Sequence, residues 1–265
     1  MNLSIFIPGF GGPHLEEKFV ILDKNLQTIH AFAWDVHVHM CIYDENPETE
    51  ATIRSIFAKY EPKISSTLHV ERGIVAQFIV RHGHPSKLKS QYIMILLDDV
   101  LLLNWSWNKL VFDYYDQNLD IISPSMTIDS KYVFQYMLHK PEDIECDILR
   151  ITSACELFCY FMRSEVYELY YQELSEDHPW LWGIDLVLTK HLGFRVGIMN
   201  YMQMKHFFQN TTTFDETNVK AFEKMNQYLS KFGESQESLA HQPACLESRL
   251  IFHRIKRIGY KSFNS

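Results

Sequence analysis

The sequence predicts an α/β fold: a mixed, mostly parallel sheet flanked by helices, with further helices at the C-terminal end. Three observations carry that prediction. Strand-like and helical segments alternate from Leu3 to Leu97 in a βαβαβα rhythm. The run Tyr92-Ile93-Met94-Ile95-Leu96-Leu97 is apolar without interruption, as a strand buried in a parallel sheet requires. Apolar residues make up 46% of the chain and charged residues 22%, enough to fill a sizeable core and solvate its surface.

The elements follow in order. Leu3-Ser4-Ile5-Phe6-Ile7 reads as a strand that Pro8 and Gly9 end, and Pro8 to Pro13 is a Gly/Pro turn. Leu15 to Ile29 has helical periodicity. From Phe32 to Tyr43 apolar Val36, Val38, Met40 and Ile42 alternate with His37, His39 and Cys41, a strand ending at Asp44-Glu45. A helix runs from about Glu48 to Tyr60 with Pro47 near its start, then a strand near Ser66–Val70, a helix over Gly73–His82 and the strand Tyr92–Leu97.

The second half is less regular. Trp107–Gln117 reads as helix, Asp120–Ser123 as strand and Ile151–Tyr160 as a longer strand. Ser164–Ser175 reads as a helix whose capping box is incomplete, because Tyr167 stands where Glu belongs. A helix follows Trp182-Gly183-Ile184-Asp185 as far as about His191, and Arg195–Asn200 is a strand. Helices are expected over Thr217–Phe232 and Ala244–Ile258, with Gly233–Pro243 a loop between them. Residues 1–207 form the α/β domain on this reading, and 208–265 a helical extension of it.

Composition excludes several function classes. With 25 basic and 33 acidic residues the net charge is −8, so duplex nucleic acid is not an expected partner. The basic cluster Arg249, Arg254, Lys256, Arg257 and Lys261 reads first as a solvated helix face, with a surface for an anionic partner or a weak membrane-surface contact as alternatives. Cys41, Cys146, Cys155, Cys159 and Cys245 form no CxxC pair, and an unpatterned odd set reads as reduced thiols in the cytoplasm. The N-terminal run has no basic n-region or small-residue cleavage site, and no apolar stretch nears the ~18 residues of a membrane span, so a soluble protein is expected. His37-x-His39 and His82-x-His84 have no Cys or carboxylate in register. GxGxxG, P-loop and GxSxG patterns are absent.

The chemistry concentrates at Asp98-Asp99. Two carboxylates at the C-terminal end of a buried parallel strand lie where open α/β sheets bind ligands. No Lys or Arg lies near them in sequence, so they repel one another unless a cation shares them. A hard divalent ion, Mn²⁺ or Mg²⁺, fits oxygen ligands of this kind and bridges to a pyrophosphate; the plainer alternative is that the pair caps the following turn.

Leu97-Asp98-Asp99 is similar to the DxD-type motif of GT-A glycosyltransferases, in the variant whose first acid is apolar. Further blocks follow in an order that resembles a plant family of GT-A-like proteins and soluble transferases of large DNA viruses. They are Asn118-Leu119-Asp120-Ile121-Ile122-Ser123-Pro124, Ala154-Cys155-Glu156-Leu157-Phe158, Trp182-Gly183-Ile184-Asp185, and Val196-Gly197-Ile198 through His206. The resemblance covers roughly residues 90–207, and the first 90 weakly.

That resemblance implies roles. Asp99 matches the metal-ligating acid, His206 the histidine that completes the metal site, and Asp98 the acid nearer the ribose. Pro8 and Gly9 lie where the nucleotide lies, Asp44 where a carboxylate meets base or ribose, and Arg72 where a basic group faces the donor phosphates. Asp185 matches the general base of inverting enzymes, with Glu156 as second choice or as an acceptor contact. Trp180 and Trp182 are acceptor-side platforms or packed core residues. The implied donor is a nucleotide-sugar, UDP favoured, and the acceptor a glycan or glycoprotein. Two other classes compete: a metal-dependent hydrolase or phosphodiesterase, which needs a second metal cluster, and a non-catalytic nucleotide-sugar or glycan-binding module.

Overall fold

Leu3, Ile5, Phe6, Ile7 and Phe10 are all buried, so the first strand is covered on both faces and runs past Pro8 and Gly9 to Phe10 (β1, Asn2–Phe10). The computed structural model describes residues 2–31, 34–71, 73–131, 137–139, 148–208, 216–240 and 245–250. The expected rhythm follows: α1 (Leu15–His30), β2 (Asp35–Ile42), α2 (Pro47–Ala58), β3 (Ile64–Val70), α3 (Val75–His82) and β4 (Tyr92–Leu96). Asn46 starts α2 by accepting the Glu48 N–H, and Pro47 occupies the first helical turn, where its missing N–H is no loss. Every residue of β4 is buried.

The second half departs from local expectation in six places. A short strand, β5 (Val100–Leu103), leaves the Asp98-Asp99 turn and pairs with a later strand. After α4 (Trp107–Asp116) and β6 (Ile121–Met126), the long strand expected over 151–160 is two strands, β7 (Ile148–Thr152) and β8 (Cys159–Arg163). They pair in different parts of the sheet, so Ser153–Phe158 must leave the ladder. After α5 (Ser164–Tyr171), the helix at Asp185 is a single turn, α6 (Ile184–Val187), and β9 (Val196–His206) runs six residues past Asn200. Beyond α7 (Glu216–Ser230), the expected loop holds α8 (Gln236–Ala240), and the start of the expected last helix is β10 (Cys245–Leu250), drawn into strand form by pairing with β7.

The sheet order is β10-β7-β9-β6-β8-β4-β1-β2-β3, with β5 paired to β9 off that path. Propagating the pairings along it, only β7 and β8 run against the other strands of the path, so the sheet is mixed with one dominant direction. The chain builds β1, β2 and β3 outward in one direction, then returns to lay β4 on the other flank of β1. The C-terminal ends of β1 and β4 therefore diverge at a topological switch point, the place where such sheets open a crevice. Phe78 of α3 meets Phe6 of β1 edge-on, and Tyr167 of α5 stacks on the same ring. Among the described residues no helix is long and apolar enough to cross a membrane.

Candidate active site

β4 ends at Leu96, and Leu97 to Asp99 turn the chain into β5. Because Val100 of β5 lies opposite His206 of β9, this turn delivers Asp99 to the end of β9. Asp99 Oδ2 lies 3.0 Å from His206 Nε2, and the Phe207 N–H donates to the Asp99 carbonyl at 3.2 Å. His206 Nδ1 donates to the Lys131 carbonyl, which orients the ring with Nε2 toward Asp99. Burial disfavours the charged imidazole, but the Asp99 carboxylate and the Lys131 carbonyl outweigh it and hold His206 above its ordinary value. The second carboxylate oxygen, Asp99 Oδ1, is buried with no hydrogen-bond partner.

This donor set fits a divalent metal. A buried carboxylate oxygen without a partner lies beside an imidazole nitrogen whose orientation is fixed from its far side. Among the described residues no three or more His, Cys, Asp or Glu side chains are arranged to hold an ion. On this geometry Asp99 and His206 would hold Mn²⁺ or Mg²⁺ as two protein ligands, with the rest left to water and a ligand.

Asp98 faces the other way, toward α1. No Lys or Arg is near it in sequence, but the fold brings one: Lys18 Nζ lies 2.7 Å from Asp98 Oδ2 and donates to the Gly11 carbonyl, also at 2.7 Å. Burial pushes the Asp98 carboxyl up to about 7, with Asp99's charge adding and Lys18 opposing. Burial works against the Lys18 charge too, but Asp98 more than compensates and Lys18 ends above its ordinary value. Lys18 therefore keeps its proton in preference to Asp98, and once the Asp98 carboxyl is ionised the contact is an ion pair. Lys18 thus ties the loop after β1 to the turn after β4, across the switch point.

The loop itself is shaped by close approach. Gly12 has φ 73°, where an L side chain is strained, and a Cβ there would lie 2.6 Å from the Tyr43 hydroxyl, so a larger residue would also push that ring aside. His14, also left-handed at φ 62°, stacks on Phe208 at 4.4 Å. The Gly11–His14 loop, Tyr43, Asp98-Asp99 and the His206–Phe208 segment therefore gather at this end of the sheet.

The remaining expected residues separate. Glu156 lies on the Ser153–Phe158 link close enough for its charge to be felt by His206, and Phe158 packs its ring on His206 at 4.8 Å. Asp185 opens α6; its Oδ1 accepts the Gly183 N–H at 3.0 Å, and its carbonyl accepts the Cys155 N–H at 3.4 Å, joining it to the same link. Burial pushes its carboxyl up to about 6 against the pull of neighbouring amides. Asp44 has its carboxylate engaged locally, accepting the Asn46 N–H at 3.0 Å and the Thr49 hydroxyl at 2.8 Å. Pro8 is buried within β1, and Gly9 lies against the Tyr43 ring. Trp182 packs edge-on against Phe222 of α7, while Trp180, across the left-handed Leu181, stays partly exposed. Arg72 lies outside the described residues.

No protein-family model matches the chain, and no curated protein matches it. Solved structures do. S. aureus TarS matches with TM-score 0.55 at 10% identity, over 91% of this chain and 41% of that one. The TarS 1-349 structure in complex with UDP matches with TM-score 0.56 at 10% identity, over 91% and 68%. GalNAc-T7 with UDP, GalNAc and Mn2+ matches with TM-score 0.58 at 10% identity, over 87% and 47%. The chain spans less than half the length of the longer TarS chain and of GalNAc-T7, and about two thirds of TarS 1-349. At this identity the likeness concerns architecture, and the architecture is the GT-A fold, a Rossmann-like sheet flanked by helices.

Proposed function

We propose that this chain is a metal-dependent glycosyltransferase that moves a sugar from a nucleotide-sugar, UDP-linked by preference, to a hydroxyl of a glycan or glycoprotein acceptor with inversion. The observation that carries the reading is the convergence of Asp99 and His206 beside the β1/β4 switch point, on a GT-A sheet. The UDP and Mn2+ named with the matched structures make those two the first ligands to try.

In this reading the Gly11–His14 loop and Tyr43 wall the nucleotide, and Asp98, held by Lys18, faces it from the floor. A bound Mn²⁺ or Mg²⁺ supplies charge stabilisation for the departing diphosphate. Asp185 takes the proton of the acceptor hydroxyl; a carboxyl raised to about 6 is still ionised at neutral pH and is a stronger base than an ordinary one. Glu156, whose charge reaches His206, orients the acceptor. The hydrolase alternative calls for a second metal cluster, and among the described residues there is none.

Calorimetric titration of UDP, with GDP as control, with and without Mn²⁺, tests the reading on the wild type and Asp99→Ala. UDP binding that requires Mn²⁺ and is lost in Asp99→Ala is the expected result. Absence of nucleotide binding under every condition would overturn it.

A further inference from the structure

Lys18 is placed against two physical preferences. It is only 7% exposed, and it stands in the first turn of α1, where the helix dipole disfavours a cation. Its ammonium is held there by the Gly11 carbonyl and Asp98 Oδ2, both at 2.7 Å. The two acids are adjacent in sequence, and only Asp99 meets His206.

A charge count gives the consequence. Asp98, Asp99 and Lys18 sum to −1, where the two acids alone would sum to −2. With two protein ligands among the described residues, and with Lys18 offsetting one of the two adjacent acids, the site is poor in what a hard divalent cation ordinarily requires, several oxygen ligands and matching charge. A metal ion arriving alone meets the Lys18 ammonium nearby. A metal already bound to a nucleoside diphosphate carries net negative charge, and the same ammonium attracts it.

Building on the transferase reading, we propose that Lys18 sets the binding order: by cancelling the charge of Asp98 it makes the Asp99–His206 site hold a divalent cation only together with a nucleoside diphosphate. Lys18 is on this account a positioning and charge-setting residue, and the metal enters as a metal–diphosphate complex.

Titration of Mn²⁺ into the full chain, followed by the electron paramagnetic resonance signal of free Mn²⁺ with and without UDP, tests this. Wild type is expected to bind Mn²⁺ weakly alone and tightly with UDP. Lys18→Met is expected to tighten Mn²⁺ binding without nucleotide by on the order of tenfold, a gain that loss of a merely structural contact does not produce. Lys18→Arg keeps the charge and stays within about twofold of wild type. Asp98→Asn weakens Mn²⁺ binding, and Lys18→Met/Asp98→Asn, whose charges again sum to −1, returns to wild type. If Lys18→Met alone fails to fold because it strands a buried carboxylate, the comparison of the double variant with Asp98→Asn carries the same test. UDP-dependent Mn²⁺ binding by wild type, with no gain from Lys18→Met in either background, overturns this inference and leaves the transferase reading standing. Absence of Mn²⁺–UDP binding by wild type overturns both.

Discussion

Asp185 carries a carboxyl that the fold itself does not favour. Raising it from 3.8 to about 6 means that folding binds a proton more tightly, so ionising the group costs stability as pH rises through that interval, by up to about 3 kcal/mol above it. A residue serving only as a helix cap gains nothing from this, since Asn accepts the Gly183 N–H equally well. Asp185→Asn is therefore expected to leave the melting temperature at pH 7.5 unchanged or higher while lowering kcat by about 10²–10⁴-fold. The wild-type rate should fall as pH drops through about 6. An Asp185→Asn protein that transfers sugar at the wild-type rate would remove it from the base role. Asp99, Asp98 and Asp185 were legible because each closes a local pattern, a strand end or a helix start. Lys18 was not, since its partner lies at the far end of the β1–β4 unit; its one local signal is a basic residue in the first turn of a helix that follows a Gly-Gly loop.

Among the elements, β2, β3 and α3 share an unusual packing layer of imidazoles. His37 and His39 of β2 lie 4.5 Å apart, His69 of β3 and His82 of α3 3.8 Å apart, and His39 stacks on Phe6. His82 has Glu71 at 3.0 Å, and His37 bonds the hydroxyls of Ser65 and Thr67. Burial first, then His37, His69 and His82, lowers His39 from 6.5 to about 4. The stability gained by keeping it neutral is complete above about 6.5 and is lost as pH falls toward 4, a drop worth about 3 kcal/mol. Urea unfolding between pH 7 and 4.5 should show a midpoint that declines with acid in the wild type and declines less in His39→Gln. Equal slopes would mean that other groups govern the acid limb. The alternation of these histidines with Val36, Val38 and Met40 announced the strand, but which face met which helix depended on where α3 docked.

Across the whole molecule, helix α7 is packed on residues that precede β9. Gly183 has φ 92°, and a Cβ there would meet Met225 Cγ at 2.9 Å and Leu229 at 3.3 Å. Tyr228 donates to Glu173, and Glu234 pairs with Lys190 and His191. Contacts of this kind are expected to make α7 unfold as one cooperative unit with the sheet. Gly183→Ala should lower stability by about 1–3 kcal/mol, with tryptophan fluorescence and far-ultraviolet circular dichroism reporting a single coincident transition. Two separated transitions would instead mark residues beyond 207 as a unit of their own.

The sequence by itself determined the alternation of strands and helices, the α/β class and the carboxylate turn at the end of β4, because periodicity and strand-end position are local properties. Only the tertiary structure decided the rest. Whether 148–163 is one strand or two, and whether 245–250 is helix or strand, turned on which edge each segment paired with. His206 reached Asp99 through the β5–β9 ladder, across 107 positions of sequence, and Lys18 cancelled Asp98 across the switch point. The physical reason is the same in each case: pairing and charge act through space, and the free energy of a hydrogen-bonded edge, or the cost of leaving a buried charge without its partner, outweighs the weak local preferences that sequence patterns express.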